Sequence, residues 1–117
     1  MVPLPLATKN SKAAAAIAAT AVAGAGAAYV YAFPEALARG GQAAGLDKQT
    51  ADVLARATLR SAADSMGDDT LETLIARIAS PGGSTRAGLD ALDQDGRLTT
   101  ALQETVAAAV RRNQEMG

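Results

Sequence analysis

Residues 12–31 read KAAAAIAATAVAGAGAAYVY, and this stretch decides the fold class. Alanine is the strongest helix former, so the run predicts a helix from about Lys12 to Ala23. Gly24-Ala25-Gly26 is predicted to break it, and a second helix is predicted from Ala27 to Arg39. Close packing of helices explains these glycines better than a dinucleotide-binding turn, because no strand precedes them and the third glycine of that motif is missing.

The rest of the chain also shows helical periodicity and helix-capping residues, without sustained strand alternation. Gly40-Gly41 is predicted to end the second helix, and Pro34 inside that helix predicts a kink or a break. Further helices are predicted at 47–66 with Asp47 as the cap, at 71–78, from a Ser84 or Thr85 cap to Leu92, and at 98–115. We therefore predict an all-α fold of about five to six helices.

The composition indicates a thin hydrophobic core. Of the 117 residues, 49 % are hydrophobic, but they include only one Phe, two Tyr and no Trp. Much of the apolar content is alanine, which buries little area and therefore contributes modest hydrophobic free energy. Burial against a second copy is the natural route to stability for such a chain, so we expect an obligate oligomer.

The charges and the missing residue types exclude several classes of function. Eleven basic and twelve acidic residues give a net charge of -1 without a basic stripe or an aromatic platform, so nucleic acid is not an expected partner. The absence of Cys and His excludes disulfides, histidine catalysis and Cys/His zinc sites. Asp90, Asp93 and Asp95 lack the full ligand pattern of a calcium loop, and we expect no metal.

The uncharged run between Lys12 and Glu35 has a superficial likeness to a signal peptide or a membrane anchor. Its alanines are much less membrane-seeking than a run of Leu, Ile and Val, so we predict a buried helix and no membrane partner. A secreted or membrane-anchored helical protein is the less favoured alternative. Residues 1–12 lack periodicity and are predicted to be a leader, with one helical domain at 13–117.

The segment Ser80-Pro81-Gly82-Gly83-Ser84-Thr85 is the best candidate for binding a ligand, because it is a tight turn that leads directly into a helix. Gly82 and Gly83 allow positive backbone angles, so that amide groups can converge, and the helix start adds partial positive charge. The hydroxyls of Ser80, Ser84 and Thr85 could donate to the same anion or to a neighbouring ring nitrogen. These residues alone leave two interpretations open, a carboxylate-binding cradle and an ordinary helix connection with Ser or Thr as N-cap.

Six segments, taken in order, carry a resemblance to a known family. They are Ala21–Tyr31, Glu35–Leu37, Ala44–Leu46, Ser80–Thr85, Gly88-Leu89 and the Gly96-Arg97 turn. In order and separation they resemble the C-terminal domain of pyrroline-5-carboxylate reductases, over nearly the whole chain after the leader. The Ser-Pro-Gly-Gly-x-Thr element is highly specific in this context.

The resemblance implies a function. The family reduces 1-pyrroline-5-carboxylate to L-proline with NADPH or NADH in the cytoplasm, and its helical domains interlock into homodimers, often assembled into rings of dimers. Carried onto this chain, the resemblance implies that Ser80, Gly82, Gly83, Ser84 and Thr85 bind the substrate carboxylate. Thr85 is the implied catalytic residue, because its hydroxyl would hydrogen-bond the ring nitrogen. The implied partners are a second copy and 1-pyrroline-5-carboxylate or proline.

The chain also departs from the family pattern. The family usually has Gly-Ser-Gly-Pro-Ala-Tyr where this chain has Ala25 and Ala27, and Pro34 and Ala76 replace a helix-compatible and a commonly acidic residue. No Rossmann domain is visible, so the cofactor-binding residues are unknown, no cofactor is expected to bind this chain alone, and the isolated chain is expected to be inactive. The alternative hypothesis is a purely structural helical oligomerisation module without a ligand site.

Overall fold

Helices form most of residues 11–116, the part of the chain that the computed structural model describes. No strand occurs in that range, so the predicted all-α fold is confirmed. Its six α-helices are α1 (Lys12–Ala19), α2 (Gly26–Ala43), α3 (Lys48–Ser65), α4 (Leu71–Ile78), α5 (Ser84–Leu92) and α6 (Arg97–Met116). A π-helical turn, Thr20–Gly24, follows α1, and a 3₁₀ turn, Gln94–Gly96, precedes α6. Residues 1–10 of the predicted leader lie outside the described residues.

Polar side chains cap the starts of α1, α3, α4 and α6. The capping residues are Ser11, Asp47, Thr70 and Asp93. Asp47 accepts hydrogen bonds from the Thr50 amide at 2.8 Å and the Thr50 hydroxyl at 2.9 Å, and these bonds hold the pKa of its carboxyl below the ordinary value. Asp93 accepts from the amides of Leu98 at 2.9 Å and Thr99 at 3.2 Å. The predicted Asp47 cap is confirmed, and α4 has its predicted bounds.

The end of α2 differs from the prediction, because Gly40 and Gly41 lie inside the helix. The Gly45 amide donates to the Gln42 carbonyl and the Leu46 amide donates to the Gly41 carbonyl, both at 3.0 Å. With Gly45 at φ +118°, this pair of bonds forms a Schellman cap. A Cβ at Gly41 would lie 3.2 Å from Leu46 Cδ1, so Gly41 serves close packing. The predicted helix end at Gly40-Gly41 is therefore wrong.

Helix α2 also continues through Pro34, so a break at this residue is wrong. Proline lacks the amide hydrogen of one helical bond, but the other bonds of an 18-residue helix remain. Pro34 is buried, whereas Phe33 and Glu35 beside it are exposed. Packing around Pro34 therefore outweighs its low helix propensity.

The described residues divide into two compact units. In the first unit, residues 11–28 and 91–116, α1 and the π-helical turn pack against α6, and Ala21 of that turn is 5% exposed. The second unit, residues 29–90, contains α3 and α4 together with most of α2 and α5. Its buried residues are Pro34, Ala51, Ala55 and Ala79.

Large apolar side chains stay on the surface of the described chain. Within residues 11–116 no side chain larger than proline is buried, and the other buried residues are four alanines. Ile78 is 74% exposed, Tyr31 is 68% exposed and Leu71 is 66% exposed. The predicted thin core is confirmed, and burial within the chain accounts for little hydrophobic stabilisation.

The N-terminal helices α1 and α2 are rich in apolar residues. No single helix in residues 11–116 is long and apolar enough to cross a membrane. One pair bent by 40°, Lys12–Gly24 with Gly26–Ala43, meets the length and composition requirement jointly. Much of the apolar character of this pair comes from alanine.

Two glycine substitutions at the end of α2 should change stability in opposite directions. Gly45→Ala should lower the free energy of unfolding by about 1–2 kcal/mol, because a Cβ is strained at positive φ. Gly40→Ala should raise it by roughly 0.5–1 kcal/mol, because Gly40 is helical and a Cβ there meets no atom within 4 Å. Urea unfolding followed by circular dichroism, at one fixed chain concentration, measures both. Equal effects of the two substitutions would contradict the assignment of Gly45 as the cap.

Candidate functional site

The predicted ligand-binding turn lies between α4 and α5, within the second unit. Helix α4 ends where Ala79 takes an extended conformation, with φ −89° and ψ 107°. The Ala79 amide still donates to the Ile75 carbonyl at 3.0 Å, and the Ala79 side chain is only 6% exposed. A buried alanine therefore anchors the start of the turn.

Ser80, Pro81, Gly82 and Gly83 form a hydrogen-bonded β-turn. The Gly83 amide donates to the Ser80 carbonyl at 3.1 Å, and Gly82 has φ +75°. Proline in the second position and glycine in the third suit a type II turn, because glycine takes positive φ without steric cost. The predicted positive backbone angle is confirmed at Gly82, whereas Gly83 lies outside the left-handed region.

Gly83 is needed for a different reason, its contact with Ser80. A Cβ at position 83 would lie 2.7 Å from Ser80 Oγ and 3.3 Å from the Ser80 carbonyl oxygen. The first distance is shorter than real Cβ contacts, so any side chain at position 83 would displace the serine hydroxyl. The Ser80 hydroxyl therefore lies over the backbone of Gly83, at the point where α5 begins.

Helix α5 begins earlier than its predicted cap. Ser84 is the first helical residue, and the Ala87 amide donates to the Gly83 carbonyl at 3.1 Å. Gly83 therefore occupies the N-cap position, and the prediction that Ser84 or Thr85 caps this helix is wrong. The physical reason is that the β-turn ends at Gly83, directly before the first helical residue. Ser84 and Thr85 therefore both lie inside the first turn of α5.

The first turn of α5 carries backbone donors without acceptors. Within residues 11–116, no oxygen accepts a hydrogen bond from the amides of Ser84, Thr85 and Arg86. An α-helix leaves such amides unsatisfied at its start, where they also form the positive end of the helix dipole. These amides have no acceptor within the described residues, as both the carboxylate-cradle interpretation and an ordinary helix start require.

Three helical threonines bond the carbonyl four residues before them, whereas the hydroxyls of Thr85 and of Thr100 in α6 do not. Thr20, Thr58 and Thr105 donate to the carbonyls four residues before them, at 3.0, 2.8 and 2.7 Å. Thr85 is the second residue of α5, so the carbonyl four residues before it lies outside the helix. Its hydroxyl makes no hydrogen bond to the described part of the chain, which leaves it available to a ligand.

The predicted site residues form one continuous segment that solvent reaches. Ser80, Gly82, Ser84 and Thr85 are exposed, and Gly83 is half-buried. Free amides at a helix start bind carboxylate or phosphate oxygens, and the neighbouring hydroxyls can add donors. The segment can therefore bind a small anionic group and orient the rest of the ligand that carries this group.

The other sequence candidates have structural explanations. Within the described residues, no group of three or more His, Cys, Asp or Glu is placed to hold a metal ion. Asp93 caps α6, and Asp95 lies in the 3₁₀ turn with φ 56°. The Gly24 to Gly26 segment joins the π-helical turn to α2, and no strand precedes it among the described residues. The predicted close packing has no support at Gly26, where a Cβ would meet no atom within 4 Å.

Arg86 follows directly after the predicted segment and is not among the predicted site residues. Arg86 lies in the first turn of α5 and is half-buried. A basic residue in the first turn opposes the helix dipole, but Lys12, Lys48 and Arg97 occupy the first turns of α1, α3 and α6, so this signal does not single out Arg86.

Comparison with known proteins identifies a family for this chain. The family model for pyrroline-5-carboxylate reductase dimerisation matches residues 14–116. Pyrroline-5-carboxylate reductase 2 of Bacillus subtilis is 42% identical over 84 residues, which make up 70% of this chain and 30% of that protein. The pyrroline-5-carboxylate reductase of Synechocystis is 40% identical over 85 residues, 71% of this chain and 32% of that protein. The crystal structure of Plasmodium falciparum pyrroline carboxylate reductase with NADP bound has a TM-score of 0.77 and 32% sequence identity, covering 87% of this chain and 39% of that chain.

The fold and the matched range define the class of this chain as an all-helical dimerisation domain. The chain belongs to the pyrroline-5-carboxylate reductase family and corresponds to its C-terminal dimerisation domain. It spans 30% and 32% of the lengths of the bacterial and cyanobacterial relatives. The resemblance found in the sequence is thereby confirmed for the family and the domain.

Ser80 and Gly83 should be energetically coupled. Gly83→Ala should lower the free energy of unfolding by roughly 0.5–1.5 kcal/mol, because the new Cβ forces the Ser80 hydroxyl out of its position. In a Ser80→Ala background part of this loss should disappear, because the displaced hydroxyl oxygen is gone while the contact with the backbone carbonyl remains. Urea unfolding of the four proteins of the double-mutant cycle measures the coupling. Strictly additive losses would show that the two residues are not in contact.

Proposed function

We propose that this domain supplies the dimer interface and the substrate-carboxylate site of a pyrroline-5-carboxylate reductase, which reduces 1-pyrroline-5-carboxylate to L-proline in proline biosynthesis. The observation that carries the proposal is the Ser80–Thr85 turn, where free amides and free hydroxyls meet at the start of α5. Family membership over residues 14–116 supports the choice of reaction. The location that we propose on the same basis is the cytoplasm.

The proposed role of the turn is to bind and orient the substrate. The substrate carboxylate accepts hydrogen bonds from the amides around Gly83, Ser84 and Thr85 and from the Ser80 hydroxyl. The Thr85 hydroxyl bonds the ring nitrogen, which makes Thr85 the proposed catalytic residue. Holding a ring in one orientation lowers the entropic part of the barrier to reaction, so the contribution of this domain is mainly orientation.

NADPH or NADH supplies the hydride in the family's reaction. Residues 11–116 do not fit a dinucleotide, because their Gly-x-Gly turn joins two helical segments and no strand precedes it. We therefore assign no cofactor-binding residue here. We expect this chain alone to bind no cofactor and to be inactive as a reductase.

Self-association is the second part of the proposal, as a homodimer or a ring of dimers. Helix α4 supports it, because Leu71, Ile75 and Ile78 recur on one helix face and are 66%, 45% and 74% exposed. Contiguous exposed apolar surface of this kind marks an interaction site. Because the chain matches a dimerisation family, a second copy of the chain is the partner that we propose for this face of α4.

Sedimentation equilibrium over a range of chain concentrations should give the mass of a dimer or of a multiple of dimers. Ile78→Asp should weaken the association, because it places a charge in the proposed interface. Met116→Asp is the matched control, because Met116 is also 74% exposed but lies at the end of α6. A well-folded monomeric wild type would contradict the proposed interface.

L-Proline should bind the chain weakly at the turn. Addition of L-proline should shift the amide NMR signals of Gly82 to Thr85, and Thr85→Ala should weaken binding roughly three- to tenfold through loss of one hydrogen bond. Thr100→Ala, an exposed threonine of α6, is the control and should bind like the wild type. The purely structural module predicts no shift at the turn and the same behaviour for both variants. Unmoved turn signals at saturating L-proline would contradict the proposed site.

A further inference from the structure

A groove between α2 and α3 in the second unit is apolar where it is buried and basic where it is exposed. Pro34 of this α2–α3 groove is buried, and Ala38 and Leu59 are half-buried. Four basic and two acidic residues also line the groove and give it a net charge of +2. These charged residues, all of them exposed, are Glu35, Arg39, Lys48, Asp52, Arg56 and Arg60.

Lys48 and Arg60 account for the excess positive charge of the α2–α3 groove. Each of its two acidic residues pairs with an arginine, at 3.0 and 2.9 Å. Lys48 and Arg60 make no ion pair with residues 11–116, and both are exposed on α3. Lys48 lies in the first turn of α3, where the helix dipole adds further positive charge. The groove therefore attracts a surface that carries negative charge.

The exposed apolar face of α4 is accompanied by the opposite charge. Residues 68–78 contain three acidic residues and one basic residue, a net charge of −2. Asp69 pairs with Arg77 at 2.7 Å, whereas Asp68 and Glu72 make no ion pair with residues 11–116. All four charged side chains are exposed. Helix α4 therefore presents apolar side chains next to an excess of two negative charges.

Neither surface is covered by its own chain within the described residues. No residue of α4 lines the α2–α3 groove, and Leu71 and Ile78 of α4 are 66% and 74% exposed. From Lys48 to Arg60, α3 rises about 18 Å, whereas the eight residues of α4 rise about 12 Å, so the groove is long enough for α4. Apolar surface surrounded by complementary charges is the usual composition of a protein interface.

We propose that α4 of one copy binds in the α2–α3 groove of a second copy, and that the opposite charges of these two surfaces make the chain select its own copies. The inference rests on the proposed self-association and names the two surfaces that meet in it. In a dimer with twofold symmetry each copy supplies one groove and one α4, so the contact forms twice. Opposite charges steer the two copies together, and like charges at the same positions oppose their association.

Charge reversal on either surface should weaken the homodimer. The groove variant is Lys48→Glu with Arg60→Glu, and the helix variant is Asp68→Lys with Glu72→Lys. Each variant should raise the dissociation constant measured by sedimentation equilibrium roughly ten- to hundredfold, because like charges meet in both contacts of its homodimer.

An equimolar mixture of the groove and helix variants tests whether the contact forms between copies. In a mixed dimer the reversed groove of one chain faces the reversed α4 of the other, and the two unchanged surfaces face each other. Opposite charges therefore meet in both contacts. Native mass spectrometry should show mixed dimers in large excess over either homodimer, and the dissociation constant should return close to that of the wild type.

Two controls separate this contact from effects of net charge and of misfolding. Lys12→Glu with Arg111→Glu reverses two exposed basic residues of the first unit and should associate like the wild type. Circular dichroism should show the helix content of the wild type in every variant. If a double substitution lowers it, the same mixing experiment uses Arg60→Glu and Glu72→Lys as single substitutions.

Three outcomes would contradict the proposal at different levels. A monomeric wild type would contradict the proposed self-association and this inference with it. A dimeric wild type with equally dimeric groove and helix variants would overturn only the pairing of these two surfaces. Weakened variants whose mixture forms no mixed dimer would also overturn the pairing, because the two surfaces would then not meet between copies.

Discussion

The burial of alanine in place of larger side chains constrains the whole domain. Alanine at Ala21, Ala51 and Ala55 is a strong helix former, but each residue removes little apolar area from water. Within residues 11–116 the leucines, isoleucines and aromatic residues, which would form the core of an ordinary domain of this size, are exposed or half-buried instead. Such surface is characteristic of chains whose stability includes a partner, and a dimerisation domain is a class in which a second copy covers it.

A thin core also affects how a ligand site can be made rigid. Where packing contributes little, local backbone geometry has to fix the positions of the donors. The turn between α4 and α5 uses buried Ala79 before it, the Ser80 to Gly83 hydrogen bond across it and positive φ at Gly82 within it. The contact of the Ser80 hydroxyl with Gly83 adds a side-chain constraint at the helix start. These local features preorganise the amides without a large hydrophobic core beneath them.

Local sequence signals predicted the features that depend on neighbouring residues. The Asp47 cap, the bounds of α4 and the positive φ of Gly82 each follow from a few adjacent residues, and the structure contains all three. The end of α2 could not be predicted in this way, because glycine at Gly41 has both low helix propensity and a packing role that depends on Leu46. The helix through Pro34 was missed for a related reason, since its burial results from tertiary packing.

The start of α5 is the point where local rules and the structure differ in a way that bears on function. Helices α1, α3, α4 and α6 have side-chain caps, whereas α5 begins at a glycine. Like α1, α3 and α6, helix α5 has a basic residue and no acidic residue in its first turn. Each of these features weakens a helix considered alone, because cap acceptors and acidic residues stabilise a helix start and a cation opposes its dipole. Each also leaves positive charge and free donors in place for a bound anion. In other helices of this chain, capping residues accept hydrogen bonds from the first amides. At α5 the corresponding amides are therefore free to donate to a carboxylate ligand.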